Sequence, residues 1–199
     1  MFVGHYGVAF GARAIEKRIP LWLFFIAVQW VDILWCVLVF LGIERVSIHP
    51  GVNPSGPLVF DYYPYTHSLA ADLCWAAIAY MGYRAYTKRQ GSLRVGAFLA
   101  LAVLSHWFLD LIVHQPDLDL YDESRKFGLG LWNFPRVELA VELLCPICVM
   151  RLSLVIIKLA SGVVSRKSFC LGVTEIFKPC GSFFSSLSTL VMSWSRAVM

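Results

Sequence analysis

Charge is what this sequence has least of. Only 15% of its 199 residues are Asp, Glu, Lys or Arg, where a soluble domain carries about a quarter. Hydrophobic residues make up 58%, with a mean hydropathy of +0.67. A soluble core that apolar would leave too little polar surface to cover it. The net charge is +4, yet nothing resembles a basic nucleic-acid surface. No internal repeat is evident. There is no HExxH, so an ordinary zincin protease mechanism is unsupported. Gly128-Leu-Gly-Leu-Trp-Asn133 is too short and too poorly placed for a phosphate loop. The six cysteines (36, 74, 145, 148, 170 and 180) make no extracellular disulfide framework. Cys145-Pro-Ile-Cys148 could be a redox pair, but both loops read as outward-facing lack cysteines to exchange with. Pro146 reads as a helix kink. The first apolar run lacks a small-residue cleavage site and is too long for a signal peptide, so it reads as a retained span.

Four long apolar segments are present: Leu21–Ile43, His67–Tyr86, Leu93–His114 and Val137–Ala160. Each reaches or exceeds the ~20 residues that cross a ~30 Å hydrocarbon layer. Residues 3–15 form a shorter helix candidate, and Pro20 separates it from the first run. The expected fold is therefore an all-α integral membrane protein with four transmembrane helices plus a short N-terminal helix. Residues 1–160 form the membrane domain. Residues 161–199 form a Ser-rich tail, including the apolar stretch Phe183–Trp194, with no assigned role. Seven Trp and eight Tyr suit membrane–water interfaces. The connections alternate in charge. Arg13, Lys17 and Arg18, then Arg84, Lys88, Arg89 and Arg94, then Arg151, Lys158, Arg166 and Lys167 are basic. Glu44 and Asp61, then Asp117, Asp119, Asp122 and Glu123 supply acids. The positive-inside rule puts the basic connections and both termini in the cytoplasm, with 44–66 and 115–136 outside. The stretch from His49 to Pro57 is too rich in Pro and Gly for regular helix, and Thr66 or Ser68 can cap the second span.

Carboxylates inside apolar helices are costly, roughly 2.5–3.5 kcal/mol at mid-span. Asp32 and Asp110 occupy such positions. His106, Asp110 and His114 recur at i, i+4 and i+8, which stacks them on one helix face. This pattern suits a metal ion or a His–Asp pair that locks helix packing. His114 alone reads as an interfacial cap, and His49 as an exposed loop residue. Depth adds to the first reading. His5 and Asp32 each lie ~13 residues from the turn near Arg18, hence ~20 Å from it on opposite arms of a hairpin. His106 lies ~13 residues past Leu93. His67 begins the second span near the outer face.

The motifs in order are Gly4-His5, Asp32 in Gln-Trp-Val-Asp-Ile-Leu-Trp, Tyr65-Thr-His67-Ser, and Ser105-His106-Trp-Phe-Leu-Asp110. Together they resemble the YdjM-like family of predicted membrane-bound metal-dependent hydrolases, over roughly residues 4–160. The family's Pro-Asp-x-Asp-His cluster is represented here by Asp32 alone. Its His-Arg-x-x-Thr-His becomes Asp61-Tyr-Tyr-Pro-Tyr-Thr-His67. The resemblance implies His5, Asp32, His67, His106 and Asp110 as metal ligands in a bacterial cytoplasmic membrane. Imidazoles and carboxylates suit zinc first, with manganese or iron as alternatives. Asp61, Asp72, Glu138 and Glu142 are available as a general base, and Asp72 and Glu142 are put forward as catalytic. The partner is the lipid bilayer, with a lipid-derived or other membrane-associated ester as substrate and no nucleic acid. Metal-ion or proton transport or sensing, and a purely structural membrane protein, are the alternatives.

Overall fold

The computed structural model describes residues 3–121 and 125–160. The tail after Ala160, Asp122, Glu123 and the side chains of Cys145 and Lys158 lie outside what it describes. Helix α1 spans His5–Ile15 and a turn over Glu16–Ile19 leads to Pro20, which opens α2 (Leu21–Val28). Proline suits that place because a helix start has no use for its missing N–H. Helix α3 (Trp30–Phe40) follows after a break at Gln29, whose φ of −102° and ψ of 4° leave the helical range. An antiparallel hairpin comes next, β1 (Arg45–Asn53) with β2 (Gly56–Tyr62). The short α4 (Pro64–His67) runs into α5 (Leu69–Tyr86), capped by Ser68 Oγ, which accepts the Ala71 N–H at 3.1 Å. Thr66, the other candidate cap, is occupied elsewhere. Helix α6 (Leu93–Val113) precedes a two-residue ladder of β3 (Leu118–Asp119) and β4 (Lys126–Phe127), and α7 (Pro135–Ala160) completes the described chain.

The core lies where α1, α2, α5 and α6 meet. Phe24, Val28, Leu99 and Val103 pack with Ala9, Ala76 and Ala102. The small residues let the helices approach closely. At Gly96, an added Cβ would come within 2.9 Å of the Tyr80 ring.

The four-span bundle expected from the apolar runs is not what the chain builds. Among the described residues, only Leu93–Val113 is a single helix long and apolar enough to cross a membrane. The first run is two helices bent by 49°, and the pair passes the same test only if taken together. In α5 the Tyr, Trp and Gly residues lower the mean hydropathy, and Asp72 and Arg84 lower it further. Helix α7 opens with Arg136, Glu138 and Glu142. The expectation of an all-helical chain also fails at residues 45–62. The Pro- and Gly-rich segment is not helix, as its composition requires, but it forms a ladder rather than an irregular loop.

Candidate metal centre

The break at Gln29 has a side chain in it. His106 Nδ1 lies 2.9 Å from the Val28 carbonyl oxygen. A carbonyl only accepts, so Nδ1 carries the proton and donates. Insertion of a side chain into the i→i−4 ladder is one of the few recognised causes of a sharp kink. Two consequences follow. The bend swings Asp32, in the first turn of α3, towards α6. The bond also fixes the His106 tautomer, leaving the lone pair of Nε2 directed inward.

His67 is held by a second relay. The buried Glu44 carboxylate accepts three hydrogen bonds: Tyr65 N–H at 2.9 Å, Thr66 N–H at 3.0 Å and the Thr66 hydroxyl at 2.7 Å. With its one proton given to Glu44, Thr66 Oγ1 accepts from His67 Nδ1 at 2.8 Å. Burial pushes the Glu44 carboxyl above its ordinary pKa, and the bonds from Thr66 and Tyr65 oppose that shift. His114 repeats the pattern, with Nδ1 3.0 Å from Asp117 Oδ1. Three imidazoles thus have Nδ1 anchored and Nε2 turned towards Asp110, and those of His67 and His106 also face Asp32. Such outer partners orient ligating histidines in metalloproteins.

The carboxylates are Asp32 and Asp110. His106 Nε2 lies 3.1 Å from Asp110 Oδ2 and 3.5 Å from Asp32 Oδ1. His67 Nε2 lies 3.5 Å from Asp32 Oδ1 and 3.7 Å from Asp110 Oδ2. His5 Nε2 is 3.2 Å from Asp110 Oδ1, and its ring stacks on His106 with centroids 4.0 Å apart. His114 Nε2 is 3.8 Å from Asp110 Oδ2. Ligand atoms on a tetrahedral zinc ion, at ~2.0–2.1 Å from it, stand about 3.3 Å apart. The observed spacings bracket that value. His106 Nε2 and both nitrogens of His5 are buried without a hydrogen-bond partner. Orphaned polar atoms are rare in protein interiors, and here His5 Nε2 and His106 Nε2 lie 3.2 and 3.1 Å from Asp110 oxygens, a spacing suited to sharing a cation. Two groups, His5–Asp32–His106 and His67–His106–Asp110, place one ligand atom per residue within 4.8 Å of one another.

A cavity of about 340 Å³ opens beside this cluster. Asp32, His67, Asp110 and His114 line one side. Glu138 and Glu142 line it from α7, and Trp35, Phe60 and Trp132 are also on its wall. Glu142 Oε2 also accepts the backbone N–H of Val3 at 3.2 Å. The segment carrying Trp132 is strapped across the end of α6, where Leu129 N–H and Gly130 N–H satisfy the Leu111 and His114 carbonyls at 2.8 and 2.7 Å. That close approach requires glycine at 128, because an added Cβ would lie 1.9 Å from the Gln115 carbonyl oxygen.

All five residues expected as ligands come together, and His114 joins them. Of the two residues put forward as catalytic, Glu142 lines the cavity. Asp72 does not: it is buried behind the cluster, where its Oδ2 accepts Trp107 N–H at 3.3 Å. Asp61 sits on the hairpin and accepts from Ser47 Oγ at 3.2 Å. Glu44, Thr66 and the Val28 carbonyl were not foreseen. Their only mark in the sequence is that Thr66 directly precedes a candidate ligand, His67. The chain matches no family model, no curated protein and no solved structure.

Proposed function

We propose that the protein is a membrane-embedded metal-dependent hydrolase. The observation that carries this reading is the convergence of anchored imidazole nitrogens and the Asp32 and Asp110 carboxylates at coordination spacing. The motif order shared with the YdjM-like family supports it. The residues that would hold the ion are His5, Asp32, His67, His106 and Asp110, and their mixed nitrogen and oxygen donors favour zinc over magnesium or calcium. A divalent ion held there supplies Lewis acidity and lowers the pKa of nearby water.

The chain's own groups do the rest. Glu142 faces the cluster across the cavity and is placed to take a proton from attacking water. In hydrolysis the water oxygen joins the acyl or phosphoryl group and the bond to the alcohol oxygen breaks. The proton held by Glu142 passes to that departing oxygen. Trp35, Phe60 and Trp132 exclude bulk water from one side. Metal transport has less support. Between the cluster and Arg94, the faces of α6 and α2 are packed with the apolar Leu99, Val103, Phe24 and Val28.

Membrane embedding is supported by the outward faces of the helices. Trp22, Phe40, Met81, Leu101 and Leu139 are exposed, Phe40 by 90%, a coverage uncommon on monomeric soluble proteins. The substrate is accordingly placed among membrane-associated esters. Purified protein refilled with zinc or manganese should hold stoichiometric metal, and His106→Ala should hold none. A metal-free wild type after refilling overturns the reading. Metal flux into proteoliposomes, with no turnover of phospholipid esters or phosphodiesters in mixed micelles, would replace hydrolase by transporter.

A further inference from the structure

The cavity beside the cluster has a composition that metal binding does not explain. A divalent ion is balanced by Asp32 and Asp110 alone. Glu142 has a proton to carry. Glu138, one turn earlier on α7, has no such task, and it sits in the same cavity. Two carboxylates on one helix face repel each other, and among the described residues no lysine or arginine lines the cavity to offset them. Trp35, Phe60 and Trp132 make up most of the remaining wall, with Cys36 and Leu58. The Trp35 and Phe60 rings are 5.5 Å apart, Phe60 and Trp132 are 5.7 Å apart and within 15° of parallel, and Trp132 lies against His114 at 4.1 Å. Ser55 Oγ, donating to the Trp132 carbonyl at 2.8 Å, ties that wall to the hairpin. At the floor, His67 and Asp110 are 4% and 2% exposed, with the unpartnered His106 Nε2 aimed at the same carboxylates.

Aromatic faces with a carboxylate in a partly dry pocket recognise organic cations, quaternary ammonium groups above all. We infer that this cavity receives the ammonium group of an amine- or quaternary-ammonium-bearing ester or phosphodiester. The scissile group of that molecule lies over the Asp32–Asp110 cluster. This assignment deepens the hydrolase reading and rests on it for what happens to the bound molecule. The binding itself needs no metal. A volume of about 340 Å³ accommodates a headgroup rather than a whole lipid, so any acyl chains would remain outside.

The test is binding of choline to the metal-free protein in maltoside detergent, followed by tryptophan fluorescence and by equilibrium dialysis. The control ligand is 3,3-dimethylbutan-1-ol, which has choline's shape without its charge. Choline should bind at least about tenfold more tightly than the control. Glu138→Gln should remove most of that preference without changing zinc content. Dihexanoyl phosphatidylcholine binding more tightly than glycerophosphocholine supports a lipid source, and equal binding supports a water-soluble one. Equal binding of choline and its neutral isostere by the wild type overturns the inference, whatever the variants do. Zinc bound without choline preference overturns this inference and leaves the hydrolase reading standing. Choline preference without zinc supports the ammonium site and overturns the hydrolase.

Discussion

The two ends of α6 handle a buried carboxylate in opposite ways. At the start, Glu16 is buried and fully provided for. Arg18 grips it with two parallel bonds of 2.7 Å, and Arg94 adds a contact at 3.3 Å. About 24 Å further along the same helix, Asp110 has four imidazoles around it within 3.8 Å. Guanidinium is always charged and forks onto a carboxylate, so it completes such a site permanently. Imidazole with its Nδ1 anchored offers a lone pair instead, and lone pairs and carboxylates together call for a cation. One end is finished by the chain itself, and the other is a cluster that could hold a metal ion.

The sharpest way to break this contrast is to remove a shared ligand. His106→Ala should abolish metal binding at the far end, measured by elemental analysis. Arg18→Ala at the near end should leave metal content unchanged. Next in size is Gly128→Ala. The added Cβ would displace the strap that carries Trp132 and uncap α6, costing about 3 kcal/mol or more. Its denaturation midpoint should fall well below that of Gly82→Ala, a control where a Cβ meets nothing within 4 Å. Third is the relay behind His67. Glu44→Ala should weaken zinc about 10–100-fold in a chelator competition, as loss of an orienting group does elsewhere. An unchanged affinity would show that Thr66 alone suffices.

The smallest effect is at the finished end. Hydrogen bonds from Arg18 hold the Glu16 carboxyl at about 2, below its ordinary 4.5. The folded state therefore binds that proton less readily than the unfolded chain. The stabilisation is complete above about pH 4.5 and is lost as pH falls towards 2. The melting difference between wild type and Glu16→Gln should be constant above pH 5 and close as pH falls through that window. A difference that persists at pH 2 would assign the effect to packing.

What could be read from the sequence divides along the same line. The histidines and aspartates of the cluster were legible because helical spacing and distance from a turn are both one-dimensional. His106 to Asp110 is one turn, and His5 and Asp32 are equally far from Arg18. The groups that orient them were not legible. Whether Glu44 reaches Thr66, or Val28 meets His106, depends on contacts between residues 22 and 78 positions apart. The spans were misjudged for a related reason. A run of apolar letters does not register a break such as the one at Gln29, which arises from a side chain on another helix. The hairpin was hidden by His49-Pro-Gly, where register shifts interrupt the alternation that marks a strand.

The two ligand groups have His106 in common, and its other nitrogen is committed to Val28. One lone pair cannot serve two ions. The two groups could therefore hold one ion between them, nearer His5 and Asp32 or nearer His67 and Asp110. Losing an outlying ligand such as His5 should relocate the ion, and losing His106 should evict it.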